Sequence, residues 1–63
     1  MSLKVLIRNS GMTQKDLSIK TGIPRRTIDY MIKTKSCTFE NAYKISRALN
    51  MSLETLYRQW NHE

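Results

Sequence analysis

The chain has 63 residues, with eleven Lys and Arg against five Asp and Glu, a net charge of +6 and a pI near 9.9. So short a chain holds one domain at most and buries only about 60% of the surface that its unfolded form exposes. One cysteine and one histidine make neither an intrachain disulfide nor a structural zinc site, no apolar run approaches the ~20 residues needed to span a bilayer, and Lys4 and Arg8 interrupt the apolar start where a signal peptide would need its core.

The expectation from these bounds is a cytoplasmic protein with a small apolar core and no membrane segment. The periodicity is helical almost throughout: glycine occurs twice, proline once, and no segment alternates long enough for a half-buried strand. Residues 1–2 carry no weight in this reading. "LKVLIRNS" places Leu3, Leu6, Ile7 and Ser10 on one face and stops at Gly11, as helices often do at glycine. Thr13 offers a side-chain oxygen to the free amides of a second helix, "QKDLSIKT", and Asp16 three residues on is placed to answer it. That helix stops at Gly22, where a left-handed conformation costs glycine little.

Ile23 precedes a proline and is therefore extended, while Pro24 suits the first turn of a helix because it has no amide to leave unpaired. The third helix is expected from about Pro24 to Lys33, with Ile28, Met31 and Ile32 inward. "TKSCT" is a polar connection, and a fourth helix, "FENAYKISRAL", follows Thr38 and buries Ala42, Ile45 and Leu49. Asn50 tolerates the helix-ending conformation, and Ser52 caps a fifth helix with an apolar stripe of Leu53, Leu56, Tyr57 and Trp60. Five short helices joined by brief links make an all-α globule.

Charge concentrates around the third helix. If Ile28, Met31 and Ile32 face the core, Arg25, Arg26, Asp29, Tyr30 and Lys33 face outward. Between residues 25 and 35 stand four cations and one acid, and Ser36 and Thr38 follow at once. A helix N-terminus already carries partial positive charge and unpaired amides, so two arginines there raise a field that an arriving anion relieves. Charged residues on a helix face also serve simply to keep it wet, and charge and periodicity leave both readings open.

Residues 12–34, "MTQKDLSIKTGIPRRTIDYMIKT", resemble the helix-turn-helix of the phage repressor and Cro (lambda-repressor-like) family of DNA-binding proteins. The family pattern is met by Thr13 and Gln14 opening the first motif helix, Leu17 and the small Ser18 within it, Gly22 in the turn, Ile23 after it, and Thr27-Ile28 in the second motif helix. Further on, "ISRALNMSLETL" is similar to the family's late segment, where an Ala-Leu pair precedes a helix break and a Ser-capped final helix. The match covers roughly residues 3–57 without a gap.

The resemblance implies a compact five-helix domain over residues 1–63, with the motif at about 13–33, that binds double-stranded DNA as a repressor-like transcriptional regulator of bacterial or phage type. In that family the second motif helix enters the major groove with its N-terminal residues at base edges, and the first crosses the backbone. Carried over, Arg25 and Arg26 take the leading base-reading positions and Tyr30 lies one turn on. Gln14 takes a phosphate-gripping position, Thr27 reaches a phosphate or a thymine methyl, Lys35 matches a backbone-contacting cation, and Lys33 and Ser36 join it as phosphate candidates. Family members commonly dimerise on DNA through the C-terminal end, which makes Tyr57 and Trp60 candidate dimer contacts and a palindromic operator the expected target. The first reading of these two aromatics is closure of the core over the first helix, with the dimer contact as its functional alternative.

The chain departs from the family pattern at four positions. A buried arginine in helix one and a glutamate late in helix three are common there; here Ile7 and Ile32 stand instead, a coherent exchange, since apolar replacement of a buried ion pair is often neutral or stabilising. Thr34 replaces the glycine that usually ends helix three, and Pro24 sits where a Ser or Thr cap is usual. Cys37 reads as a tolerated thiol in an exposed link, His62 as part of a polar tail, and Ile19 as an outward side chain without evident use. The four methionines read as gap-fillers at or near core positions. No paired carboxylates, nucleophile–base set, metal cluster or glycine-rich phosphate loop is present, so neither an enzyme nor a cofactor, metal or small-molecule ligand is expected. A protein-interaction module on the same fold, and a DNA-binding part of a larger regulator, remain the alternatives.

Overall fold

The computed structural model describes residues 2–61; His62 lies outside them. Five helices follow in order: α1 (Leu3–Asn9), α2 (Gln14–Thr21), α3 (Arg25–Thr34), α4 (Phe39–Ala48) and α5 (Leu53–Asn61). They form an all-α globule of 25 × 22 × 20 Å, and among the described residues no helix is long and apolar enough to cross a membrane.

Each helix starts where its sequence supplies an acceptor, with one exception. Ser2, given no weight above, caps α1 by accepting from the Val5 N–H at 3.3 Å. Thr13 caps α2, Thr38 caps α4 through the Asn41 N–H at 3.2 Å, and Ser52 Oγ accepts from the Thr55 N–H at 3.0 Å at the head of α5. Pro24 is the N-cap of α3 and makes no such bond. The helix ends behave as expected at Gly11, Gly22 and Asn50, with φ of 83°, 78° and 59°.

The core joins all five helices through Leu3, Leu6, Ile7, Leu17, Ile28, Met31, Ile45, Leu56 and Trp60, with Ile23 buried in the link before α3. α2 packs against α1, α3 and α4, and α4 packs against α5. Leu17 is the buried residue of α2, whose other large apolar side chain, Ile19, is exposed, so this one side chain anchors it. Truncating such a residue costs about 2–5 kcal/mol, a large share of the roughly 5–15 kcal/mol typical of a whole domain. Ile7 is 2% exposed and Ile32 packs against the same cluster, as apolar substitutes for an ion pair must.

Three expectations need correction. α3 runs from Arg25 to Thr34 rather than from Pro24 to Lys33, and Lys35 at φ 60° closes it; the chain must turn towards α4 here, and a lysine adopts the left-handed geometry in place of glycine. Ser10 lies past the end of α1, exposed, its hydroxyl donating to the Ile7 carbonyl at 2.6 Å. Tyr57 is 70% exposed, whereas Trp60 is buried: α5 docks through Leu56 and Trp60, and Tyr57 falls outside that stripe.

Candidate nucleic-acid interface

The surface suggested by the charge pattern begins at the head of α2. Thr13 Oγ1 accepts from the Asp16 N–H at 3.1 Å, and the Asp16 carboxylate accepts from the Thr13 N–H at 3.0 Å. The Thr13 N–H bond to the carboxylate, and after it the Thr13 hydroxyl, hold the Asp16 carboxyl below its ordinary range. Gln14 is the first helical residue and half-buried beside this closed cap.

The turn between α2 and α3 is three residues long and heavily bonded. Ser18 Oγ donates to the Ile23 carbonyl at 2.6 Å, and Thr21 Oγ1 donates to the Leu17 carbonyl at 2.7 Å. The Ile23 N–H donates to Thr21 Oγ1 at 3.2 Å and the Gly22 N–H to the Ser18 carbonyl at 2.9 Å. With Ile23 itself 3% exposed, the turn is pinned by polar bonds above and an apolar plug below. This fixes the angle between the helices. The roles of Ser18 and Thr21 escaped the sequence reading; their signal was two hydroxyl residues just ahead of a helix-ending glycine.

Pro24 then starts α3 with its carbonyl accepting from the Thr27 and Ile28 N–H groups at 2.9 and 3.1 Å. Ile28 and Met31 are buried and Ile32 lies against the core, while Arg25, Arg26, Asp29, Tyr30 and Lys33 are exposed. Thr27 is half-buried at the edge of that face. Among the described residues, α3 is the helix whose N-terminus has neither a side-chain cap nor an acid in its first turn. Arg25 Nε stands 4.0 Å from Asp29 Oδ1, both more than half exposed; a pair so placed is worth about 0–1 kcal/mol and orients the guanidinium along the helix.

At the far end the Thr34 hydroxyl donates to the Tyr30 carbonyl at 2.8 Å, and the Lys35 N–H donates to the Met31 carbonyl at 2.8 Å. Lys35 and Ser36 are exposed beyond it. The structure therefore brings Arg25, Arg26, Tyr30 and Lys33 onto one face of one helix. It sets Gln14 at the end of α2 away from the turn and Lys35 with Ser36 past the end of α3. The set forms an extended surface rather than one cluster.

A groove of about 630 Å³ lies between the α3–α4 link, the start of α4 and α5, lined among others by Lys35, Ser36, Cys37, Phe39, Tyr57 and Trp60. Tyr57 and Phe39 are exposed at its sides, and Trp60, largely buried, belongs to the core. Of the two candidate dimer contacts, Tyr57 is the one with a ring to offer a partner. Cys37 is half-buried rather than exposed, and burial pushes its thiol above the ordinary value.

A family model for the Cro/C1-type HTH DNA-binding domain matches residues 2–58. The chain is similar to an uncharacterized HTH-type transcriptional regulator from Archaeoglobus fulgidus, with 42% identity over 48 residues, 75% of this chain and 69% of the relative. No solved structure matches.

Proposed function

The chain belongs to the Cro/C1-type helix-turn-helix DNA-binding family, and from that premise we propose that it reads duplex DNA sequence-specifically as a repressor-like transcriptional regulator in the cytoplasm, with α3 in the major groove. One observation carries this reading: α3 starts without a cap or an acid and sets two exposed arginines at its first two positions. The partial positive charge of that helix end and the guanidinium groups then point the same way, towards an anionic partner.

In the proposed complex Arg25 and Arg26 present paired donors to guanine O6 and N7, each good pair giving about 1–3 kcal/mol of discrimination. Tyr30 meets a sugar or a methyl one turn along, and Thr27 contacts a phosphate or a thymine methyl at the edge. Gln14, Lys33, Lys35 and Ser36 hold phosphates, which set register without carrying sequence information. The fixed angle across Gly22–Pro24 delivers α3 at one pitch relative to α2, so the arginines arrive together with the flanking backbone contacts.

One copy touches only a few base pairs. A homodimer through the α5 end, with Tyr57 at the contact, would read two half-sites about 34 Å apart on a palindromic operator. Selection of bound duplexes from a random pool tests the reading: an enriched motif with two-fold symmetry is expected, and a pool that stays random overturns sequence-specific binding.

A further inference from the structure

The C-terminal end of α2 meets the second half of α4 at a concavity of about 310 Å³. It is lined by Lys20, Thr21, Tyr43, Lys44, Arg47 and Ala48. Three of these are cations and none is an acid. None belongs to the DNA-facing set, and Lys20 and Thr21 close α2 at the end opposite Gln14.

The guanidinium of Arg47 is already held in place. Its Nη2 donates to the Met51 carbonyl at 3.0 Å, and its central carbon stands 6.0 Å from the centroid of the Tyr43 ring. A cation over an aromatic face is attracted by it, and a side chain ordered beforehand loses less entropy when a ligand arrives. The Met51 bond uses one of five guanidinium donors. Lys44 Nζ lies 4.0 Å from Glu40 Oε2 in an exposed pair, which holds it weakly. Tyr43 is 53% exposed, and Ala48, 7% exposed, gives the concavity an apolar floor.

We propose that this concavity docks an acidic peptide segment of another protein, its carboxylates on Lys20, Lys44 and Arg47 and one apolar or aromatic side chain seated against Tyr43 and Ala48. Charge sets the sign of the partner, and shape sets its class. The volume is at the small end of the roughly 300–1,000 Å³ of ligand sites, room for one large side chain on an apolar floor. A nucleic-acid backbone instead asks for cations strung along a phosphate track. The site shares no residue with the DNA face, so it stands whether or not that reading holds, and one copy could carry DNA and a protein partner together.

The test is titration of the isotope-labelled full chain, followed by NMR, with a short capped peptide of glutamates around a single phenylalanine. Its glutamine counterpart and a random-sequence duplex are titrated in parallel. The glutamate peptide is expected to shift the amide resonances of Lys20, Thr21, Tyr43, Lys44 and Arg47 and to leave those of Arg25, Arg26 and Tyr30 in place; the glutamine peptide should bind far more weakly. Arg47→Gln should weaken the peptide about tenfold. Because Arg47 also bonds the Met51 carbonyl, the second variant is Lys20→Gln with Lys44→Gln, which touches no such bond and should weaken binding at least as much. Shifts centred on α3, equal binding of the two peptides, unchanged affinity in the lysine double variant, or larger shifts in the concavity with duplex than with peptide would each overturn the proposal.

Discussion

At the head of α2, a threonine hydroxyl and an aspartate carboxylate bond to each other's backbone amides, and the helix end is satisfied from within the chain. At the head of α3, eleven residues on, a proline offers no side-chain acceptor and two arginines stand where an acid would be favoured. A missing cap of this kind costs about 0.5–2 kcal/mol, and a cation at an exposed helix N-terminus is disfavoured by about 0.3–1 kcal/mol. Two neighbouring helices of one motif thus treat the same electrostatic problem in opposite ways. The head of α2 is satisfied within the chain, whereas the head of α3 keeps a positive charge that the exposed Arg25–Asp29 pair offsets only weakly.

The largest expected effect lies at α3. Arg25→Ala and Arg26→Ala should each lower affinity for a selected duplex by about 1–3 kcal/mol at a particular base pair, read by competition between single-position variants of that duplex. The unfolding midpoint should hold or rise, since a cation leaves a helix N-terminus. A loss of stability with no change in base preference would place the arginines in the wrong role.

Thr13→Ala should do the converse. Removing the α2 cap should lower the unfolding free energy by about 0.5–2 kcal/mol, seen as a lower urea midpoint with an unchanged slope, and should not alter which bases are preferred. Lys35→Gly separates the two properties within one residue. Relief of the left-handed lysine should add about 0.5–1 kcal/mol of stability, while loss of its side chain weakens all duplexes alike and reduces the salt slope by about 1.

The smallest effect is that of pH on the α2 cap. The Asp16 carboxyl is held below its ordinary 3.8 by the Thr13 bonds, so its contribution is fully present above that value and fades as pH falls through the lowered folded value. Asp16→Asn should remove this part of the acid dependence, and urea midpoints at a series of acidic pH values would report it.

Much of this was legible because it is local. A hydroxyl residue followed three positions on by an acid is a cap wherever it occurs, and glycine, a branched residue and proline in succession compel a turn. The outward face of α3 followed from the spacing of Ile28, Met31 and Ile32 alone. Tyr57 and Trp60 were not separated in this way: Trp60 shares the i, i+3, i+7 spacing of Leu53 and Leu56, while Tyr57 lies at the edge of the α5 stripe, where its exposure depends on how far α5 rolls against α4. Cys37 became half-buried because the α3–α4 link lies against the core, which no property of the link itself announces. The concavity at Lys20, Tyr43, Lys44 and Arg47 joins residues more than twenty positions apart, so no window along the chain contains it.

By itself, then, the order of amino acids determined the five helices, the stops at Gly11, Gly22 and Asn50, the polar head of α2 and the arginine-bearing head of α3, since each depends on hydrogen bonds and side-chain spacings within a few residues. The packing of those helices decided the rest: which aromatic of α5 enters the core, that Lys35 must take a left-handed turn to reach α4, and that cations from α2 and α4 converge around one tyrosine. These depend on distances between elements. Such distances are set by how side chains of different helices fill a shared interior.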